Sequence, residues 1–279
     1  MTAPGGSGGP AFGALLRHWR AARRLSQLSL ATDAEISARH LCFLETGRAR
    51  PSREMVHLLA GALDVSLNAR NAMLLAAGYA PAYGTRTLQA PDLEHVRRAL
   101  RFILRQQEPY PAIVVDAGWN VVLRNEGAAR IFGPFQGRIA EDPVRGRNAM
   151  HLICHPEGLR RYIVNWEEFA GPLIQMLHRE ASAESNPVAA QLRDELLAYP
   201  GMPARWKILD PAAPVPPVLT MRLHKDDVAV AFFSTLTMLA TPRDVMLEQL
   251  RIECFYPADQ ETEETARRLA STTGPSDVA

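Results

Sequence analysis

SQLSLATDAEISARHLCFLETGRARPS, residues 26–52, parses as two short helices and the turn between them. Ser26 is placed to cap the first helix, whose buried side is Leu30, Ala31 and Ala34. Ser37 is placed to cap the second, whose apolar stripe is Leu41 and Leu44 at helical spacing. Gly47 then ends it, as a glycine past a helix C-terminus does. Pro51 and Ser52 open another helix, with Ser52 as its cap. Two helices packed by so few small residues need helices above and below, and the flanks supply them. One spans about Phe12 to Arg24, with Leu15, Leu16, Trp19 and Ala22 inward. Another spans Arg53 to Leu63, with Met55, Leu58, Leu59 and Ala62 inward. A fifth, near Leu67 to Ala77, carries Met73, Leu74 and Leu75 and stops at Gly78.

The second short helix presents Ser37, Ala38, Arg39, His40 and Phe43 outward, a face suited to the major groove of DNA. Arg39 sits in the first turn, where a reading helix meets base edges. Its guanidinium can hold guanine O6 and N7 together. Gln27 opens the preceding helix, where a side-chain amide and backbone N–H groups reach a phosphate. Arg48 and Arg50 follow the reader, placed for the next phosphates. The competing reading is a solvated helical hairpin with ordinary surface arginines.

The spacing Ser26-Gln27, Leu30-Ala31, Ile36-Ser37, Arg39, Leu41, Leu44-Glu45, Gly47 and Pro51-Ser52 resembles the phage-repressor-like (XRE-type) helix-turn-helix. The run RHLCFLETGRARPSREMV followed by LLAAGYAP is similar to the MmyB-like subgroup of bacterial transcription regulators. The resemblance implies a C-terminal PAS-like ligand-binding domain, and NAMHLICHPEGLRRYIVNW and LRIECFYPADQET resemble that domain. It covers nearly everything from Phe12 to Leu269. One departure is visible: position 35 is Glu where the family usually has Gly. A left-handed backbone there costs a non-Gly residue on the order of 1 kcal/mol.

The charge distribution suits a DNA reader attached to another body. Net charge is only +1, but residues 11–80 hold nine Arg against five acids, and the remainder holds 22 basic residues against 25 acids. Cys42, Cys154 and Cys254 are scattered and fit no paired-thiol zinc pattern, as in a reducing cytoplasm. No apolar run reaches about 18 residues, so no membrane span is expected. MTAPGGSGGP has no charged lead or apolar core and reads as a disordered tail, residues 1–10; residues 271–279 read likewise.

The expected fold class is α+β: an all-α head (11–80), a linker (81–91) and a PAS-like domain (92–270) with a five-stranded antiparallel sheet covered by helices. Residues 92–108 read as a helix with Leu93, Val96, Leu100, Ile103 and Leu104 on one side. Ala112 to Asp116 and Trp119 to Arg124 read as a hairpin turning at Ala117-Gly118, and Asn125 caps a helix ending at Phe132-Gly133. A long helix is expected from Gly158, kinked or restarted at Pro172, and another from Pro187 to Tyr199. Three strands close the sheet: Val218 to His224, Val228 to Leu239, and Glu248 to Tyr256.

No P-loop, dinucleotide glycine fingerprint or Gly-x-Ser-x-Gly elbow is present, so no catalytic residues, no cofactor and no enzyme activity are expected. His151, Cys154 and His155 share a helical face but lack a fourth metal ligand; the favoured reading is that His151 caps or packs, Cys154 is a small buried hydrophobe and His155 shapes the turn before Pro156, and no metal is assigned. An apolar pocket is expected from Phe132, Trp166, Phe169, Leu173, Met221 and Phe232, with Asn165 and Arg160 holding a polar head. The resemblance implies a small, largely apolar, fatty-acid-like ligand. Together these readings give a cytoplasmic, homodimeric transcription regulator binding a double-stranded operator. The alternatives are a carrier or enzyme whose helical head binds protein, and an antitoxin-like partner binder.

Overall fold

Four serines start four of the first five helices in the computed structural model, which describes residues 8–84, 86–183, 186–211, 216–240, 242 and 244–272. The helices are α1 (Gly8–Ala22), α2 (Gln27–Asp33), α3 (Ala38–Glu45), α4 (Arg53–Ala62) and α5 (Leu67–Ala76). Ser26, Ser37, Ser52 and Ser66 accept from the backbone N–H of Ser29, His40, Met55 and Ala69 at 3.0, 3.1, 3.1 and 3.3 Å. Each satisfies one of the orphan donors at a helix start. All five helices also end alike. Arg24, Glu35, Gly47, Asp64 and Gly78 have φ of 55, 52, 73, 45 and 88°. The residue after each donates its N–H to the carbonyl five back, as Ile36 does to Ala31 and Arg48 to Phe43. This is the Schellman ending, which glycine enters without steric cost.

Glu35 is therefore the left-handed residue that its sequence position suggested. Glu35→Gly removes a cost of about 1 kcal/mol and adds back about 0.4–1 kcal/mol of unfolded-chain entropy. Urea unfolding should show unchanged or raised stability, while Glu35→Val should lower it.

The chain divides into two compact units, Met1–Thr87 with Thr241–Glu248, and Leu88–Ala240 with Gln249–Ala279. In the first, Phe12, Leu16, Leu30, Leu41, Leu44 and Leu59 are fully buried. Close approach is essential where α1 meets the end of α3: a Cβ on Gly13 would lie 2.5 Å from the Glu45 carbonyl oxygen. Three apolar assignments need correction. Leu58 and Leu75 are exposed, at 45% and 59%, and Ala22 is exposed too. On α4 the stripe is Val56, Leu59, Ala60 and Leu63, the i, i+3, i+4, i+7 set, which leaves Leu58 outside it. The stretch expected to be a bare linker is anchored at its start, because Asn71 Oδ1 accepts from Ala82 and Tyr83. The short helix α11 (Val245–Gln249) replaces the expected start of the last strand. Glu248 does not extend; its carboxylate accepts the first N–H of α5, from Leu67, at 2.8 Å.

The second unit contains α6 (Glu94–Gln106), β1 (Ala112–Val115), β2 (Val121–Arg124), α7 (Glu126–Phe132), α8 (Ala149–Cys154), α9 (Trp166–Ala183), α10 (Pro187–Leu197), β3 (Thr220–Lys225), β4 (Val228–Thr237), β5 (Arg251–Pro257) and α12 (Gln260–Thr272). The sheet is antiparallel with order β2-β1-β5-β4-β3, so the last strand is central. One face, carrying Ile113, Met221, Phe232 and Phe255, packs into a core shared with α7, α8, α9 and α10. Asn125 ties three elements together. Its Oδ1 accepts from Ala112 and Ala128, and its Nδ2 donates to the carbonyls of Leu104 and Tyr110.

Trp119 is not a strand residue. It lies at φ 64° in a turn nucleated by Asp116, whose Oδ1 accepts from the N–H of Gly118 and Asn120 at 2.9 Å. The helix expected at Gly158 is a 3-10 turn, Leu159–Arg161, and α9 starts only at Trp166; Pro172 lies inside α9 without ending it. Gly8–Pro10 and Ser271–Thr272 are helical where tails were expected; the rest of both expected tails lies outside the described residues.

Candidate nucleic-acid interface and ligand cavity

The first turn of α3 is set by the Ser37 cap and by the Leu41 and Leu44 anchors beneath it. Ser37, Ala38 and Arg39 are exposed, and His40 and Phe43 are half-buried. The Arg39 guanidinium lies 5.3 Å over the Phe43 ring. The contact is a cation–π pairing of the kind seen at exposed sites. Arg48 and Arg50 are exposed after the helix. The Arg48 side chain has no hydrogen bond or ion pair among the described residues, while its N–H is held by the Phe43 carbonyl at 2.9 Å.

Gln27 is placed differently from its expected role. Its Nε2 donates to Glu45 Oε2 at 2.6 Å, so the side-chain amide is spent inside the unit. Glu45 is the residue that sequence reading passed over. It is 2% exposed and takes Arg20 Nε on Oε1 at 2.6 Å and Arg20 Nη2 on Oε2 at 3.1 Å. Burial pushes its carboxyl up, but the bonds from Arg20 and Gln27 outweigh this and hold it below the usual carboxylate range. Arg20, in the last turn of α1, is thus structural. Arg23 is too, donating to the carbonyls of Leu63 at 2.9 Å and Asp64 at 2.6 Å. The available signal was Glu45 itself, an acid directly after the apolar anchor Leu44.

A cavity of about 610 Å³ lies in the second unit against the covered face of the sheet. Phe132, Phe169, Leu173 and Met221 line it, as do Ile113, Trp119 and Leu219. Four residues expected there stand elsewhere. Phe232 is fully buried beside Phe132, ring centroids 6.1 Å apart, but is not on the wall. Arg160 stacks 3.9 Å over the Trp166 ring and donates to the carbonyls of Pro200 and Gly201 at 2.8 Å. Trp166 Nε1 donates to the Ile153 carbonyl at 3.0 Å. Asn165 donates to the Thr220 carbonyl at 2.9 Å and accepts from Arg222 N at 3.1 Å. These polar groups hold α9 and β3 in place, so the head-group role assigned to Arg160 and Asn165 is not available to them.

The polar groups actually on the wall are Arg124, Gln136, Arg147, Ser234 and Glu253. Glu253 Oε1 accepts from Ser234 Oγ at 2.7 Å. Burial pushes its carboxyl up to about 7, against the lowering effect of the Ser234 hydroxyl. The sequence signal was a single acid inside the apolar strand RIECFYP. Trp119 Nε1, also on a cavity-lining residue, is buried with no hydrogen-bond partner among the described residues.

The metal candidates are each occupied otherwise. His151 Nδ1 lies 2.7 Å from Tyr199 Oη, and its Nε2 lies 3.3 Å from Glu195 Oε2. His155 Nδ1 accepts from Glu157 N. Cys154 is fully buried, and that burial pushes its thiol up to about 12. Among the described residues, no group of three or more His, Cys, Asp or Glu is arranged to hold a metal. No helix among them is long and apolar enough to cross a membrane.

Residues 96–269 match the MmyB-like transcription regulator ligand binding domain, and residues 11–73 match a helix-turn-helix domain. No curated protein matches. A solved RNA-binding light-oxygen-voltage receptor matches 94% of this chain at 14% identity, with a TM-score of 0.29; the chain spans 62% of that receptor's length.

Proposed function

The chain belongs to the MmyB-like transcription regulators, and from that premise we propose how its two sites divide the work. Ala38, Arg39, His40 and Phe43 read base edges in the major groove of an operator. The N–H groups at the Ser37-capped start of α3 and at the start of α2, with Arg48 and Arg50, hold phosphates. Two copies bind a two-fold operator, their readers about 34–36 Å apart. The cavity of the second unit takes a small, largely apolar, fatty-acid-like ligand and biases the spacing of the two readers. The protein works in the cytoplasm and binds its ligand without turning it over. The observation that carries this reading is the exposed Arg39, propped on Phe43 at the tip of a Ser-capped helix.

A mobility-shift titration against the DNA upstream of the protein's own coding sequence tests it. A specific, salt-dependent shift supports the reading; equal affinity for scrambled DNA counts against it. Arg48→Ala should weaken binding to every sequence alike and reduce the slope of log K against log salt by about one. An unchanged slope removes Arg48 from the phosphate contacts.

A further inference from the structure

We propose that Trp119 Nε1 and the Arg147 guanidinium hold the head of the cavity ligand, and that this head is an ionised carboxylate; the proposal rests on the cavity reading above. Trp119 is 3% exposed and lines the cavity. Its Nε1 is a buried polar atom with no hydrogen-bond partner among the described residues. An indole N–H can only donate, and a buried donor left without an acceptor is costly. The Arg251 guanidinium covers the ring, 5.0 Å from its centre. The open space that the ring borders is the cavity of about 610 Å³, so the acceptor arrives with whatever fills that space.

The backbone brings Arg147 to the same end of the cavity. The Trp119 carbonyl accepts from Ala149 N at 2.9 Å, and Asn148 Nδ2 donates to the Gly118 carbonyl at 2.7 Å. Arg147, immediately before Asn148, is on the wall, and its side chain has no hydrogen bond or ion pair among the described residues. The acid on the wall stands further along: Glu253 is bonded to Ser234 and lies two residues along β5 from Arg251, about 7 Å. Arg251 Nη1 and Glu180 Oε2 are also buried without partners among the described residues, but they belong to one ion pair of 2.9 Å, and neither residue is on the wall. Arg124, the other cation on the wall, is at the far end of β2 from Trp119.

Head groups sort on these two donors. A carboxylate accepts from both, and a hydrogen bond to an ionised group is about twice as strong as a neutral one. An ester carbonyl or a hydroxyl satisfies Trp119 but brings Arg147 no charge. An ammonium has no lone pair for either group and is repelled by Arg147. The rest of the ligand then lies along the apolar wall of Phe132, Phe169, Leu173 and Met221.

The test is magnetic resonance and calorimetric titration of the full-length protein, isotope-labelled at the tryptophan nitrogens, with dodecanoate, methyl dodecanoate and dodecylamine. Dodecanoate should bind most tightly and move the Trp119 indole N–H resonance downfield; Trp119→Phe identifies that resonance by its loss. Arg147→Gln should lower dodecanoate affinity by about tenfold or more, the worth of a hydrogen bond to a charged group, and leave methyl dodecanoate affinity unchanged. Arg147 is exposed, so this variant disturbs no core packing and decides the matter if Trp119→Phe does not fold. Three results each overturn the proposal alone. They are dodecanoate binding that leaves the Trp119 resonance in place, methyl dodecanoate or dodecylamine binding as tightly as dodecanoate, and a preference for dodecanoate that survives in Arg147→Gln. Loss of that preference in Arg124→Gln instead puts the head at the other end of β2 and overturns it too. Failure of all three probes to bind overturns the cavity reading and this proposal with it.

Discussion

Glu45→Ala should unfold the first unit under conditions where the wild-type unit is folded. The change leaves the Arg20 guanidinium and the Gln27 amide without the carboxylate that now receives three bonds from them. Breaking a buried pair from one side costs about 3–5 kcal/mol. A unit of this size has roughly 0.05–0.15 kcal/mol per residue to lose, so the loss takes a large share of its stability. It reaches function because Glu45 is the last residue of α3 and joins it to α1 and to the start of α2. The expected observation is an early urea transition in the variant and no DNA shift.

Glu45→Gln separates charge from shape. The folded-state pKa of Glu45 is depressed, so its charge contributes stability above the unfolded value of about 4.3 and loses that contribution as pH falls through the lower folded value. The gap between wild type and Glu45→Gln should be full at neutral pH and shrink in the acid range. A gap that stays constant into strong acid would mean the carboxylate charge does not matter here.

Arg39→Ala should abolish the sequence-specific shift and leave the fold unchanged. The side chain is exposed and its described contact is the Phe43 ring, so the substitution opens no cavity. A bidentate arginine–guanine contact is worth about 1–3 kcal/mol of discrimination. Titrations against operator and scrambled duplex should therefore converge, with weak salt-dependent binding left over. Arg39→Lys should not restore discrimination, because a single ammonium lacks the planar fork. An Arg39→Ala protein that still distinguishes operator from scrambled DNA would remove this residue from base reading.

Much of the architecture follows rules that act within a few residues. The serine caps at 26, 37 and 52, the glycine endings at 47 and 78, and the Asn125 cap each depend on neighbours at most five positions away. The five strands were legible from alternation and β-branched runs, and their antiparallel order agrees with the hairpin at one end and the meander at the other. Assignments failed where a tertiary partner took over. Asp116 drew Trp119 into a left-handed turn. The first N–H of α5 drew the Glu248 carboxylate to it. Leu58 missed the core because a stripe read from sequence can be rotated by one residue at no local cost.

By itself, then, the chain's residue order determined where helices begin and end, which strands form, and that Arg39 stands on a helix tip with apolar anchors behind it. Only the tertiary structure decided which polar side chains remain available to a partner molecule. Gln27, Arg160 and Asn165 are consumed by groups 18 to 57 positions away, whereas Glu253, bonded to Ser234, stands on the cavity wall. Capping and periodicity are local and can be read in one dimension. Desolvation and hydrogen-bond satisfaction depend on what the fold brings within about 3 Å, which no spacing along the chain encodes.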